Sequence, residues 1–94
     1  METTRHQLAQ FQIGSMQDVA DARRQGMGLA LTMGFAHADA TKIAVVISEL
    51  GRNIVAYAAS GVIRLGKGSM DTTIYFQIIA EDEGPGIAFI ERVM

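Results

Sequence analysis

Between Asp39 and Gly61 the segment DATKIAVVISELGRNIVAYAASG repeats large apolar residues at intervals of three and four, through Ile43, Ile47, Leu50, Ile54 and Ala58. That spacing predicts a helix over about 40–59, capped by Asp39 and stopped by Gly61, with one continuous apolar stripe. A chain of 94 residues has apolar surface for one core and little more. The stripe must therefore be buried against the rest of the same unit, and residues 1–94 read as a single domain.

The remaining segments say what covers it. Ser15 followed by Asp18 resembles a capping box, and Val19, Ala22, Gly26, Leu29 and Met33 recur at helical spacing, so a first helix is expected over about 16–33 with Gly34 ending it. Residues 7–13, QLAQFQI, alternate imperfectly and predict a strand with Ala9, Phe11 and Ile13 on one face. The run VIRLGKGSMDTTIYFQIIAED reads as a hairpin turning in GKGSMD, with Ile74, Phe76, Ile78 and Ala80 facing the helices and Tyr75, Gln77, Ile79 and Glu81 facing away. The last residues, IAFIERVM, have helical composition. The fold class is α+β: a two-layer sandwich with both long helices on one face of a mixed or antiparallel sheet.

Composition removes several functions. The formal charge is −2 and the basic residues are scattered, so no basic stripe exists to neutralise a phosphate backbone, and nucleic acid is not expected as a partner. No apolar run approaches the length of a membrane span, and METTRHQLAQFQ has no secretory apolar core, so a cytoplasmic location is expected. The absence of cysteine excludes disulfides and thiolate metal sites. His37 and Asp39 offer two metal ligands without a third, which reads as a helix start; Met16, Met27 and Met33 read as core filler, and Arg23 and Arg24 as an exposed helix face.

Two polar features do not fit a purely structural role. Glu49 and Asn53 lie about 40° apart on the second helix and flank its apolar stripe. A carboxylate there can orient or deprotonate a hydroxyl, and an amide oxygen one turn on can ligate magnesium. By parity Asp82, at the end of the last strand, faces the helices with Phe76 and Ile78, and EDEGPGI supplies Gly84 and Gly86, where backbone can approach a ligand closely. Taken singly, the first motif reads as a solvated helix flank and the second as a turn. Taken together, in the order helix, strand, glycine loop, they suggest one site.

The pair resembles the N-box and first glycine box of the GHKL (Bergerat-fold) ATPase superfamily. More narrowly, RQGMGLALTMGF, KIAVVISELGRNIVAYA, GVIRLG and IIAEDEGPGI look like the RsbT-type serine/threonine kinases of bacterial stress-signalling modules, relatives of the anti-sigma-factor kinases. The resemblance implies ATP and Mg2+ as cofactors. It implies Glu49 as general base or orienter, Asn53 as the Mg2+ ligand, Asp82 as acceptor for the adenine amino group, and Gly84 and Gly86 as shapers of the adenine pocket. Arg52 would sit near phosphate or partner. The partner implied is a STAS-domain antagonist or scaffold protein carrying the acceptor serine or threonine, with a PP2C-like phosphatase as a further one.

A complete domain of that family continues beyond the residues equivalent to FIERVM into an ATP lid and a second glycine box, so the fold is expected to be C-terminally incomplete here. An uncovered sheet edge then suggests a homodimer or swapped oligomer. Two functions follow from the same resemblance: a protein kinase, or a non-catalytic module that docks on a STAS or phosphatase partner with weak or no nucleotide binding.

Overall fold

A computed structural model describes residues 3–82 and 89–93. The elements are β1 (Thr3–Ile13), α1 (Met16–Thr32), α2 (His37–Tyr57), β2 (Gly61–Met70), β3 (Thr73–Asp82) and β4 (Phe89–Val93). The strands form one antiparallel sheet in the order β1-β2-β3-β4, with the helical hairpin inserted between the neighbouring strands β1 and β2. Both helices cover one face. The core joins Val19, Ala22 and Ala30 of α1 and Ile43, Ile47, Leu50 and Ile54 of α2 to Ile13, Ile63, Leu65, Phe76, Ile78 and Ala80 of the sheet.

Local chemistry fixes the helix ends. The Ser15 hydroxyl accepts from the Asp18 amide at 3.2 Å, and the Asp18 carboxylate accepts from the Gly14 amide at 2.9 Å, so two donors at the start of α1 are satisfied. At the other end Gly34 takes φ +95°, its amide donates to Leu31, and the Phe35 amide donates to Ala30. This is a Schellman closure, and it aims Phe35 at the sheet, where its ring meets Phe76 edge-on at 6.2 Å and 88°. The second helix starts at His37, earlier than expected, with Ala36 at its N-cap and no side-chain cap bond. Asp39 lies within the first turn, where a carboxylate still favours the positive end of the helix dipole.

The close approach of α1 and α2 depends on glycine. A Cβ on Gly51 would lie 2.8 and 2.9 Å from the two γ-carbons of Val19, a β-branched side chain that is stiff in a helix. Gly51→Ala is expected to destabilise the domain by about 1–2 kcal/mol: overpacking costs about 1–3 kcal/mol, and alanine's helix propensity returns up to about 1. Gly28, with open space around it, gives the opposite sign, about 0.5–1 kcal/mol of stabilisation on Gly28→Ala. Urea denaturation of both variants checks the pair.

Several elements differ from the sequence expectation. Gly66 and Gly68 lie within β2 and not in a turn; the chain reverses at Asp71 and Thr72, with Asp71 at φ 58°. Gly68 leaves room for the Tyr75 ring, whose atoms would come within 2.3 Å of an added Cβ. Gly61 opens β2 instead of stopping α2, and its missing side chain lets the Glu81 carbonyl approach. Ile74 is 59% exposed because the helices do not reach the hairpin tip. The C-terminal run expected to be helical contains the strand β4, paired antiparallel with Phe76–Ala80; β3 offers an unpaired edge, and Phe, Ile and Val suit a strand as well as a helix. Finally, the register slips between Gln7 and Ala9, a bulge at Leu8. That slip explains the imperfect alternation: it sets Gln7 opposite Gly66, on the same face as Gln10 and Gln12, which oppose Arg64 and Val62. Among the described residues no helix is long and apolar enough to cross a membrane.

Candidate functional site

The stripe of α2 that packs on the sheet runs past the end of β3, so the last turns of the helix overhang the strand terminus. Beneath the overhang lies a cavity of about 360 Å³ lined by Leu50, Asn53, Ile54, Tyr57, Ala58, Ala80 and Asp82. This volume falls in the range of small-molecule sites. Its walls divide by chemistry. Leu50, Ile54 and Ala80 are core residues that present an apolar floor, whereas Asn53 and Asp82 bring oxygen atoms from the helix and the strand respectively. The two periodicities explain the meeting: Asp82 shares the parity of Phe76, Ile78 and Ala80, and Asn53 borders the stripe next to Ile54.

Glu49 and Arg52 are placed differently. Neither is among the lining residues; the Glu49 carboxylate accepts from the Arg52 guanidinium at 3.1 Å, and both side chains are more than half exposed. An exposed pair of this kind contributes at most about 0.5 kcal/mol, so it restrains Glu49 only weakly, one turn from Asn53. Gly84 and Gly86 lie outside the described residues. Among the described residues no group of three or more His, Asp or Glu side chains gathers into a metal-holding cluster. A magnesium ion carried on phosphates asks less of the protein, usually one or two ligands, and the Asn53 amide oxygen at the cavity rim is of the right chemical type.

Tyr57 is the lining residue that sequence reasoning missed. It sits one turn after Asn53 and two after Glu49, and 87% of its surface is exposed although it borders the cavity. Extending the spacing of four from Glu49 and Asn53 one step further would have found it. An aromatic ring at that rim offers a face on which a planar base can stack.

The fold and the cavity together define a two-layer α+β domain in which a helix amide and a strand-end carboxylate share one apolar-floored hollow. Over 77 residues the chain is 42% identical to serine/threonine-protein kinase RsbT of Bacillus subtilis (strain 168), a match that covers 82% of this chain and 58% of that protein. The chain belongs to the RsbT-like serine/threonine kinase family, within the GHKL superfamily. It spans somewhat more than half the length of that relative. No family model and no solved structure matches it.

Proposed function

We propose that the chain is the nucleotide-binding part of an RsbT-like protein serine/threonine kinase, which binds ATP with Mg2+ under the α2 overhang and transfers the γ-phosphate to a serine or threonine of a STAS-domain partner in a bacterial partner-switching module. The observation that carries this reading is the shared cavity of Asn53 and Asp82. Asp82 accepts a hydrogen bond from the adenine amino group, the apolar floor takes the base, and Tyr57 covers it. Asn53 offers its amide oxygen to the magnesium, which neutralises phosphate charge when bound. Glu49, one turn earlier on the same flank, accepts the proton of the partner's hydroxyl as that oxygen bonds to the γ-phosphorus and the bond from the γ-phosphorus to the bridging oxygen of ADP breaks. Phosphoryl transfer needs little else from the protein than positioning and charge neutralisation.

The exposure of Glu49 and its pairing with Arg52 outside the cavity favour a second reading, a module that docks on a STAS or PP2C-like partner without chemistry. Incubation with γ-labelled ATP and a STAS-domain protein separates the two. The kinase reading expects label on the partner, a loss of about 100-fold or more in transfer rate for Glu49→Ala, and ATP affinity within about twofold of the parent. Transfer unaffected by Glu49→Ala removes that residue from the chemistry, and no transfer by the parent chain leaves the docking module.

A further inference from the structure

Only residues 58–60 separate the end of α2 at Tyr57 from the start of β2 at Gly61. The strand therefore begins beneath the last turns of its own helix, beside the Asn53–Asp82 cavity. Gly61 is buried and pairs with Ile13 of β1 on one side and with Asp82 of β3 on the other. By parity with Ile63 and Leu65 it faces the helices. A Cβ there would stand 2.5 Å from the Glu81 carbonyl oxygen, 3.0 Å from Cγ2 of Ile54 and 3.1 Å from Cα of Asp82. Ile54 and Asp82 both line the cavity.

The obstacles differ in kind from those at Gly51. There an added Cβ meets the side chain of Val19, whereas at Gly61 it meets main-chain atoms of Glu81 and Asp82, which no change of rotamer moves aside. One of the two strands must shift. β2 is held firmly: its first residue is paired on both sides, and Ile13, the partner on β1, is buried in the core. β3 is held less firmly at this end, because among the described residues its register with β4 covers Phe76–Ala80 and stops short of Glu81 and Asp82. The Arg64–Glu81 pair ties the same strand end to β2 on the opposite face, but through long side chains that can follow a small movement. The segment carrying the Asp82 carboxylate therefore yields.

The size of the movement decides its effect. Bringing the 2.5 Å approach out to ordinary carbon–oxygen contact, about 3.3 Å, takes a displacement of roughly 0.8 Å. An N–H···O hydrogen bond holds between about 2.7 and 3.2 Å and is lost by about 3.6 Å. Apolar contact with the floor of Leu50, Ile54 and Ala80 tolerates the same movement far better, since it has no direction to lose. A side chain at position 61 thus separates the two parts of the cavity, sparing the floor and misplacing the carboxylate.

We infer that Gly61 is a positioning residue for the nucleotide base: its missing side chain sets the spacing between the end of β3 and the last turns of α2, and so holds the Asp82 carboxylate at hydrogen-bonding distance from the exocyclic amino group. The inference rests on the nucleotide reading above and adds the origin of base selectivity, a residue that itself touches neither base nor phosphate.

The test is calorimetric titration of ATP and GTP into the parent chain, Gly61→Ala, Asp82→Ala and the double variant, with Gly51→Ala as the control for lost stability alone. Gly61→Ala is expected to weaken ATP at least about fivefold while GTP changes less than about twofold. On the Asp82→Ala background the same substitution is expected to change ATP affinity less than about twofold, because it acts through a carboxylate that is no longer there. Gly51→Ala, whose crowding lies against α1, is expected to keep the parental affinity. In the free 15N-labelled chain Gly61→Ala is expected to move the amide resonances of Glu81 and Asp82 and to leave those of Phe76 and Ile78 in place. Asp82→Glu leaves Gly61 and its packing intact and lengthens the carboxylate arm; it is expected to weaken ATP at least about fivefold, and it supplies the same distance test should Gly61→Ala not fold. Additive losses in the double variant overturn the inference, as does ATP affinity held within about twofold by Gly61→Ala or by Asp82→Glu. A parent chain that binds ATP and GTP alike overturns the nucleotide reading itself, and the inference with it.

Discussion

Asp82→Ala is expected to weaken ATP binding by about 10- to 150-fold, the loss of one hydrogen bond to a charged acceptor worth on the order of 1.5–3 kcal/mol. Asp82 ends β3 and lines the same cavity as Asn53, and on the proposed reading its carboxylate is the acceptor for the exocyclic amino group of adenine. Guanine bears a carbonyl oxygen where adenine bears that amino group, so on the same reading the carboxylate would repel GTP. The variant therefore loses discrimination as well as affinity: calorimetric titration with both nucleotides is expected to find ATP weakened far more than GTP. Asp82→Asn, which keeps an acceptor oxygen without the charge, falls between. Equal losses for both nucleotides would move Asp82 away from the base end of the cavity, and a large fall in melting temperature would mark a structural role instead.

The second large effect is on stability. Phe76 is fully buried and meets Phe35 edge-on at 6.2 Å, joining the loop between the helices to the middle of β3. Phe76→Ala removes the ring and leaves a cavity bounded by both layers, at a cost of about 3–5 kcal/mol. A domain of this size holds roughly 5–15 kcal/mol in total. The variant is thus expected to lose a large fraction of its stability and to fall by well over 10 °C in Tm. Phe76→Leu, which refills most of the space, is expected to cost less than half as much. Urea unfolding of the three proteins, with the midpoint moving at constant slope, is the measurement; a shift under 1 kcal/mol for alanine would mean that the two layers do not meet at this ring.

Much of this arrangement was legible in the sequence because two periodicities suffice for it. The stripe from Ile43 to Ile54 gave the long helix, alternation through Phe76 and Ile78 gave the strand, and carrying both patterns to their ends brought Asn53 and Asp82 to one side. What escaped depended on partners distant in the chain. Nothing local marks Leu8 as the bulged residue; only the register with Gly66 and Leu65 does. Gly66 and Gly68 have the composition of a turn, yet they serve places where the His6 carbonyl and the Tyr75 ring come close. The strand β4 was missed because FIERV carries no decisive local preference, and an available strand edge decides it. Tyr57 was read as part of a helix and not as a rim because exposure at a cavity mouth is invisible to hydropathy.

The insertion of both helices between two adjacent strands has a kinetic consequence. β2 and β3 meet through a two-residue reversal, and α1 meets α2 through a short loop, so each pair closes locally and early. β1 can join β2 only once the chain has looped around the entire helical pair, paying the largest closure entropy in the molecule. The natural order of assembly thus leaves the N-terminal strand to zip on last, and in reverse makes it the first segment to peel away, exposing the β2 edge while the cavity between α2 and the end of β3 stays formed.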